Sequence, residues 1–325
     1  PSRDQRSTAA LLAAVLEHPE DLTLRRPLMD ALLEEGHPRG ELLALQLGRT
    51  TLTPAEKKRE KALIKAHWDA LLGPLAPALK PESTFVDGFL DHAEVRAAMN
   101  AAVDNALRAS SGNPLWNTVR SYAGEGSVLL ASPFPLLRAV ETYRVRLADL
   151  TRFSKLESLT FRLQPEDVST LSAFPALHTL ALGLGVQLLP AFEAWATTRR
   201  WRSLRFHVEP NALPSYCELL TRPLALATER LELDIVRLDN SSFTARTRVV
   251  VTCAGDTTDV VARLEVGKGA AADTWAPMLA GDAAAVLDAL SRRPGLKVQL
   301  QLTNAREEAV SSLTSRVRAL GGTVS

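Results

Sequence analysis

Three stretches of this chain share one apolar pattern, and that pattern limits the folds that the chain can adopt. Residues 156–161, 177–182 and 201–206 each place a large apolar side chain at the first, fourth and sixth positions. Because alternate side chains of a β-strand point to opposite faces, the last two of these side chains share one face and the residue between them lies on the other. The stretches recur at intervals of about 20 residues or slightly more, a period typical of solenoid proteins. The sequence therefore predicts parallel strands, one in each repeat.

Weaker copies of the pattern lie on both sides of the three strong ones. They occupy residues 116–121, 137–142, 228–233, 246–251 and 261–266, with a further strand at 297–302. Runs between strands, such as 165–174 and 189–198, are expected to form short helices on the outer side. A closing cap with a polar outer face is expected from helix 283–292, strand 297–302, helix 307–320 and strand 323–325. An ordinary α/β domain with apolar strands is the alternative to a repeat array.

The anchored strands resemble those of leucine-rich repeats, in which the apolar anchors point into a solenoid and the residues between them face out. The asparagine that closes each turn in that family is missing here. The equivalent positions hold Val145, Gln164, Gly185 and Glu209. Without asparagine side chains to stabilise successive turns, the repeats are expected to form a short, flattened arc. The resemblance predicts an α/β fold, with a helical N-terminal domain (residues 1–80) and an irregular leucine-rich-repeat-like solenoid with a curved parallel sheet and a C-terminal cap (residues 81–325).

The first quarter of the chain carries helical patterns. We expect one helix after a cap at Ser7 or Thr8, a second over residues 24–35, a third from Gly40 and a fourth from Thr53 to Leu72. Thr53, Pro54 and Glu56 give the fourth helix a capping box with proline at its first position. The charged run at 57–61 on that helix is either a nucleic-acid patch or, more commonly, a solvated helix face.

The same region resembles the bacterial repeat-companion domain over roughly residues 7–95. The matching positions are Asp30, Leu32, Glu34, Gly36, Pro38, Arg39, Gly40, Glu41 and Gln46, followed by the stretches 67–75 and 88–90. The chain departs from the family's pattern at Ala31, where an aromatic residue is typical, and at His37, where aspartate is typical. The resemblance implies no chemistry, but it implies leucine-rich-like repeats downstream. We expect Arg39 to be structural and to pair with Asp30, Glu34 or Glu35.

Composition and motifs exclude several classes of function. The net charge of +1 provides no field that would recruit nucleic acid or an anionic membrane. No apolar window approaches the ~18 residues of a membrane span, and the first six residues lack a secretory signal, so a cytoplasmic location is expected if only the initiator Met is missing. No metal-ligand spacing, phosphate-binding loop or catalytic motif is present, which predicts a protein without enzymatic activity, cofactor or small-molecule substrate.

The two cysteines, Cys217 and Cys253, are far apart in the sequence and lie in different local patterns. We expect both to be small buried side chains in a reducing compartment, although a disulfide between them is conceivable. Catalysis by Cys217 is the other alternative, because ubiquitin ligases of pathogens that carry such repeats use a cysteine. Cys217 lies on an amphipathic helical pattern without their motif, which argues against this role.

The remaining candidate is the face of the sheet that the anchors leave open. Its predicted outward residues form a protein-binding surface: Arg120, Tyr122, Glu141, Tyr143, Arg162, Arg205 and His207. Tyr and Arg are enriched at interface hot spots, so the sequence predicts a scaffold or adaptor that holds another protein of unknown identity. A nucleic-acid-binding solenoid using Arg120, Arg162 and Arg205 is the runner-up hypothesis. The residues would also be compatible with a solvated strand face that has no partner.

Overall fold

The computed structural model describes residues 7–49, 51–96, 101–164, 167–221, 224, 228–238, 245–254, 257–266, 272–292, 297–303 and 307–324. Contacts divide the chain into two units. The first ends at Ser158 and includes Ala173–Ala176, and the second holds Leu159–Ser172 and the chain from Leu177 onward. Both units are α/β, with a mostly parallel sheet in which each strand neighbours the next one along the chain. The first unit thus combines the predicted helical region with the first strands of the predicted array.

The first unit begins with the helices that the sequence predicts. They are α1 (Thr8–Glu17), α2 (Arg25–Glu34), α3 (Pro38–Gln46), α4 (Pro54–Ala66) and α5 (Trp68–Leu72). The Ser7 side chain caps α1, and Thr53 with Glu56 forms the predicted capping box of α4. The predicted fourth helix is interrupted at His67, and the third begins two residues before Gly40.

A tight hairpin follows these helices and is held by them. Strand β1 (Thr84–Val86) pairs antiparallel with β2 (Phe89–Glu94) across Asp87 and Gly88, whose φ angles are 48° and 78°. Gly88 meets a steric limit as well, because a Cβ there would lie 2.4 Å from the Leu43 side chain of α3. The turn therefore requires glycine both for its backbone conformation and for its close approach to α3.

Two buried arginine side chains, one from α2 and one from α3, bind this hairpin. Arg39 donates to the carbonyl oxygens of Gly88 (2.7 Å) and Leu71, and its guanidinium lies 4.8 Å from the centre of the Phe89 ring. Arg25 lies 4.9 Å from the same ring centre and donates to the carbonyl of Asp87 at 2.9 Å. The contacts of Arg39 agree with the prediction that it is structural, but its predicted carboxylate partners are wrong. Arg39 lies on α3 and is buried against the hairpin, so it binds backbone carbonyls there and not the exposed carboxylates of Asp30, Glu34 or Glu35.

The first unit continues with α6 (Ala101–Ala109), β3 (Ser121–Glu125), α7 (Gly126–Ala131) and β4 (Ala139–Tyr143). Strands β2, β3 and β4 are parallel. Their inner face packs on an aromatic cluster of Trp116, Tyr122 and Phe134, with ring centres 5.2–6.3 Å apart.

The second unit contains the strong copies of the pattern. Its strands β5 (Ser158–Arg162), β6 (Thr179–Gly183), β7 (Ser203–Val208) and β8 (Leu231–Leu238) alternate with α8 (Asp167–Thr170), α9 (Leu189–Ala196) and α10 (Leu213–Leu219). The central anchors Leu159, Leu180, Leu204 and Leu231 are all fully buried. Leu180 pairs with Leu204 and Leu204 with Leu231, so the predicted stacking of anchors is confirmed for these parallel strands.

The strands share a second feature that the sequence does not reveal. At three places, the carbonyl of the residue that precedes the repeat strand accepts hydrogen bonds from two successive N–H groups of the next repeat. Arg120 accepts from Arg138 and Ala139, Arg138 from Glu157 and Ser158, and His178 from Arg202 and Ser203, all at 2.7–3.2 Å. Backbone hydrogen bonds of one kind therefore join these strand starts to the next repeat.

The end of the second unit departs from the parallel pattern. Strands β9 (Ala245–Ala254) and β10 (Thr257–Val266) form antiparallel pairs with each other, and β9 is antiparallel to β8. The prediction that 246–251 and 261–266 are repeat copies is therefore wrong. Only two residues separate the strands, and so short a connection joins antiparallel neighbours, because a parallel crossover needs a dozen residues or more.

The expected closing elements follow as α11 (Ala272–Leu290), β11 (Lys297–Thr303), α12 (Glu307–Ala319) and β12 (Thr323–Val324). Strand β11 is parallel to both β10 and β12. Helix α11 is longer than predicted, since it begins eleven residues before the expected start at 283.

Candidate interaction face

The open face of the first unit differs from the prediction at one strand. Tyr122 is fully buried, so its predicted place on the binding surface is wrong. It pairs with Val140, an inward anchor of β4, and its ring meets Trp116 and Phe134. Burial raises the pKa of the Tyr122 hydroxyl. The frame of β3 begins three residues later than predicted, at Val119 instead of Trp116, and a shift by an odd number of residues exchanges the two faces of a strand.

Arg120 lies directly before β3. Its side chain is 42% exposed and pairs with Asp91 at 2.9 Å, while its role in binding stays a prediction. The outward positions of β3 are instead Ser121 and Ala123, both half-buried. The true anchors, Val119 and Tyr122, have the required spacing. The sequence does not reveal this frame, because a tyrosine stands at an anchor position where an aliphatic residue is usual.

The other predicted residues of the first unit, Glu141 and Tyr143, are exposed as predicted. Tyr143 is 43% exposed and is among the few large apolar side chains with such access to solvent in the described part of the chain. Its neighbour across the sheet is Glu125 of β3.

In the second unit, the predicted outward residues are exposed. Arg162 lies 3.8 Å from the carboxylate of Glu209, and both side chains are largely solvated. Arg205 and His207 project from β7, next to two acidic residues of β8. The exposure of these three residues is thus confirmed, whereas their role in binding stays a prediction.

No sequence pattern singles out those two acidic residues. Glu232 and Asp234 lie on the open face of β8, yet they are only 3% and 7% exposed. They alternate with Leu231, Leu233 and Ile235, which fill the inner face. Strand β8 is therefore apolar on one side and ionic on the other, and it is buried on both.

Each buried carboxylate is held by two cationic or titratable side chains. Glu232 accepts from Arg205 and Arg230. Asp234 accepts two bonds from Arg248, at 2.7 and 2.8 Å, and lies 3.7 Å from His207. A buried carboxylate is tolerated only when such charge-assisted bonds replace its water, and bonds of this kind also fix the orientation of the guanidinium groups.

Two shallow depressions flank this cluster on the same face. One, of about 420 Å³, is lined by Thr179, Arg202, Arg205, Glu229 and Arg230, among others. The other, of about 490 Å³, includes Arg230, Arg248, Thr252, Asp259 and Gln301. Arg230 belongs to both. We call the surface formed by Arg205, His207, Arg230, Glu232, Asp234 and Arg248, with its two depressions, the ionic face.

Both cysteine thiols are shielded from solvent. Cys217 and Cys253 are both buried, and no disulfide joins them. Burial raises the pKa of the Cys217 thiol to about 12, which leaves very little thiolate at neutral pH. In the described residues, no group of three or more His, Cys, Asp and Glu side chains is arranged to hold a metal ion.

Cys217 should therefore resist alkylation by iodoacetamide at about pH 8 as long as the protein is folded, because the nucleophile is the thiolate. Mass spectrometry of the Cys217 peptide measures the modified fraction over time. The same protein in denaturant provides the control and should react completely. Rapid modification of the folded protein would reveal an activated thiol and reopen the case for catalysis at this residue.

Comparison of the chain with protein families, with curated proteins and with solved structures finds no match. No helix in the described ranges combines the length and the apolar character needed to cross a bilayer.

Proposed function

We propose that the protein is an interaction module that holds another protein through the ionic face of its second unit. The carrying observation is the pair of carboxylates, Glu232 and Asp234, buried on an otherwise open strand face. They orient Arg205, Arg230 and Arg248 at the surface before any partner arrives, which lowers the ordering entropy that binding would cost. Arginine is also among the residue types enriched at interface hot spots.

A degenerate leucine-rich-repeat-like array fits this role, because it exposes the residues between its anchors along one continuous strand face. The anchors Leu180, Leu204 and Leu231 keep β6, β7 and β8 in register. Arg205 and His207 therefore lie directly beside Glu232 and Asp234. A partner would meet side chains whose positions are set by both the sheet and the ion pairs.

Binding of nucleic acid has less support. Two of the three arginines that would carry it are engaged with carboxylates, Arg120 with Asp91 and Arg205 with Glu232, and Arg162 lies near Glu209. A phosphate would have to displace an acidic neighbour at each. Affinity for phosphates falls steeply with the logarithm of salt concentration, so a salt titration of the isolated complex separates the two functions.

The double substitution Arg205→Ala and His207→Ala should weaken partner binding at least about tenfold while the fold persists. Glu232 keeps Arg230, and Asp234 keeps Arg248, so neither carboxylate loses all its partners. The partner is first captured from the native host and purified, and its Kd is then measured calorimetrically against each variant.

A matched control replaces two exposed arginines of α12, Arg316 and Arg318, with alanine. It removes surface cations from the same unit but leaves the sheet face intact, and it should bind as the wild type does. An unchanged Kd for the sheet variant, or an equal loss for the helix variant, would refute the proposed surface.

A further inference from the structure

A different recess lies in the first unit, between α4 and the β1 hairpin. It encloses about 570 Å³, within the range of about 300–1,000 Å³ typical of ligand clefts. Its apolar side chains are Ile64, Trp68, Pro81 and Phe85. This recess is separate from the ionic face and does not depend on the function proposed above.

The floor of the recess is fixed in place. The Trp68 indole N–H donates to the carbonyl of Ala76 at 3.1 Å. The Trp68 ring meets the edge of Phe85, with ring centres 6.2 Å apart and planes at 76°. Phe85 is itself buried, and its carbonyl accepts a bond from Gln46 at 3.0 Å. The apolar floor is therefore rigid, and a ligand would pay little to order it.

The rim of the recess carries an excess of positive charge. Lys61, Lys65 and Arg96 line it, together with the carboxylates of Glu60 and Glu82. Glu60 is already engaged, because it accepts from the side-chain amide of Gln46. Neither Lys61 nor Lys65 has a carboxylate within 4.0 Å among the described residues.

The rest of α4 explains this excess. Its other acidic residue, Glu56, is engaged by Thr53 and Arg49, and Arg59 of α4 pairs with Glu41 of α3. The helix thus uses its carboxylates for contacts with its own cap and its neighbours. Lys61 and Lys65 remain, and they face solvent beside the apolar groove.

We propose that this groove binds a peptide segment of a partner protein in which one or two large apolar side chains are flanked by acidic residues. The apolar side chains would occupy the floor against Trp68 and Ile64, and the flanking carboxylates would face Lys61, Lys65 and Arg96. A nucleic-acid strand would meet the cations but would leave the space beside Ile64 and Pro81 unfilled, so a peptide with an aliphatic side chain uses more of the site.

Three fluorescein-labelled hexapeptides test this assignment by fluorescence anisotropy: Glu-Glu-Leu-Phe-Glu-Glu, Lys-Lys-Leu-Phe-Lys-Lys and Glu-Glu-Ser-Ser-Glu-Glu. The first should bind at least about tenfold more tightly than the other two, because only it satisfies both the floor and the rim. Equal affinity for the first and third would show attraction of charge alone and would overturn the proposal, as would absence of binding by the first.

The charge reversals Lys61→Glu and Lys65→Glu should together abolish the preference for the acidic over the basic peptide. The control reverses Lys57 and Lys58, which lie on the same helix outside the recess and change the net charge equally. It should lower the affinity for the acidic peptide less, because neither side chain lines the recess, so each acts on a bound carboxylate only through solvent, where salt screens its charge. Equal effects of the two double variants would place the binding elsewhere on α4 and refute the groove.

Discussion

Replacing Leu180 with Asp should unfold the second unit. Leu180 is fully buried in β6 and pairs with Leu204 of β7, whose side chain is equally inaccessible. An unpaired carboxylate at this position would lose its hydration without gaining a cation, which costs several kcal/mol. Because a whole domain is stable by only about 5–15 kcal/mol, this loss is comparable with the total. Circular dichroism, limited proteolysis and thermal unfolding of the purified variant measure the outcome.

The neighbouring substitution Ala181→Asp is the matched control. It introduces the same side chain one position later, where Ala181 is half-buried on the open face and lies opposite Arg205. A carboxylate there can remain hydrated or pair with the guanidinium, so we expect a change of less than about 1 kcal/mol. If both variants melted like the wild type, Leu180 would not be an interior anchor and the repeat frame would be incorrect.

The repeat frame could be predicted wherever the anchors are aliphatic. At β6, Leu177, Leu180 and Leu182 satisfy the spacing with leucine alone, and all three are buried. At β3 the spacing is also present, but Tyr122 is an anchor whose hydroxyl must find a partner inside, and it does so at the carbonyl of Glu125. A tyrosine is compatible with either face of a strand, so the sequence alone favoured the wrong one.

The antiparallel end of the sheet was mispredicted for a different reason. Residues 246–251 and 261–266 have β-branched and aliphatic residues that suit any strand. Anchor spacing carries no information about direction, whereas the two residues between β9 and β10 do. The length of that connection predicts antiparallel pairing, which the anchor spacing does not.

The ionic face lay beyond the reach of sequence patterns. In Leu231–Leu238 the acidic residues alternate with apolar ones, which is the ordinary signature of a strand with one solvated face. Their burial arises from Arg205 on the neighbouring strand, Arg230 just before β8, and Arg248 on β9. These partners are brought together by strand order, which local periodicity does not encode.

The packing of α3 on α2 and on the hairpin explains several of the residues that match the repeat-companion pattern. Gly40 of α3 packs so closely on α2 that a Cβ would lie 2.7 Å from the backbone nitrogen of Leu33. Gln46 binds the hairpin from both ends of its amide, accepting from Gly88 at 2.8 Å and donating to Phe85 at 3.0 Å. With Arg39 they attach the helices to the turn, so this motif is explained by packing and needs no catalytic role.

Replacing Arg39 with Ala should remove about 3–5 kcal/mol from the free energy of unfolding, the scale of breaking a buried, hydrogen-bonded charge. Burial lowers the pKa of Arg39 to about 10, so the guanidinium is still charged at neutral pH. Alanine would leave the carbonyls of Gly88 and Leu71 without these donors, and one face of the Phe89 ring without its cation. Denaturant titration followed by circular dichroism measures the loss.

Arg59→Ala is the control for this substitution. Arg59 makes two hydrogen bonds to Glu41, as Arg39 does to its carbonyls, but its side chain is 63% exposed. Exposed ion pairs contribute about 0–1 kcal/mol, so this variant should be almost as stable as the wild type. Arg39→Lys should fall between the two, since an ammonium is a compact charge without the planar fork of a guanidinium and cannot reproduce its stacking on Phe89. Equal stabilities for the Arg39 and Arg59 alanine variants would mean that the buried contacts do not hold the hairpin, and the packing explanation of the motif would fail with them.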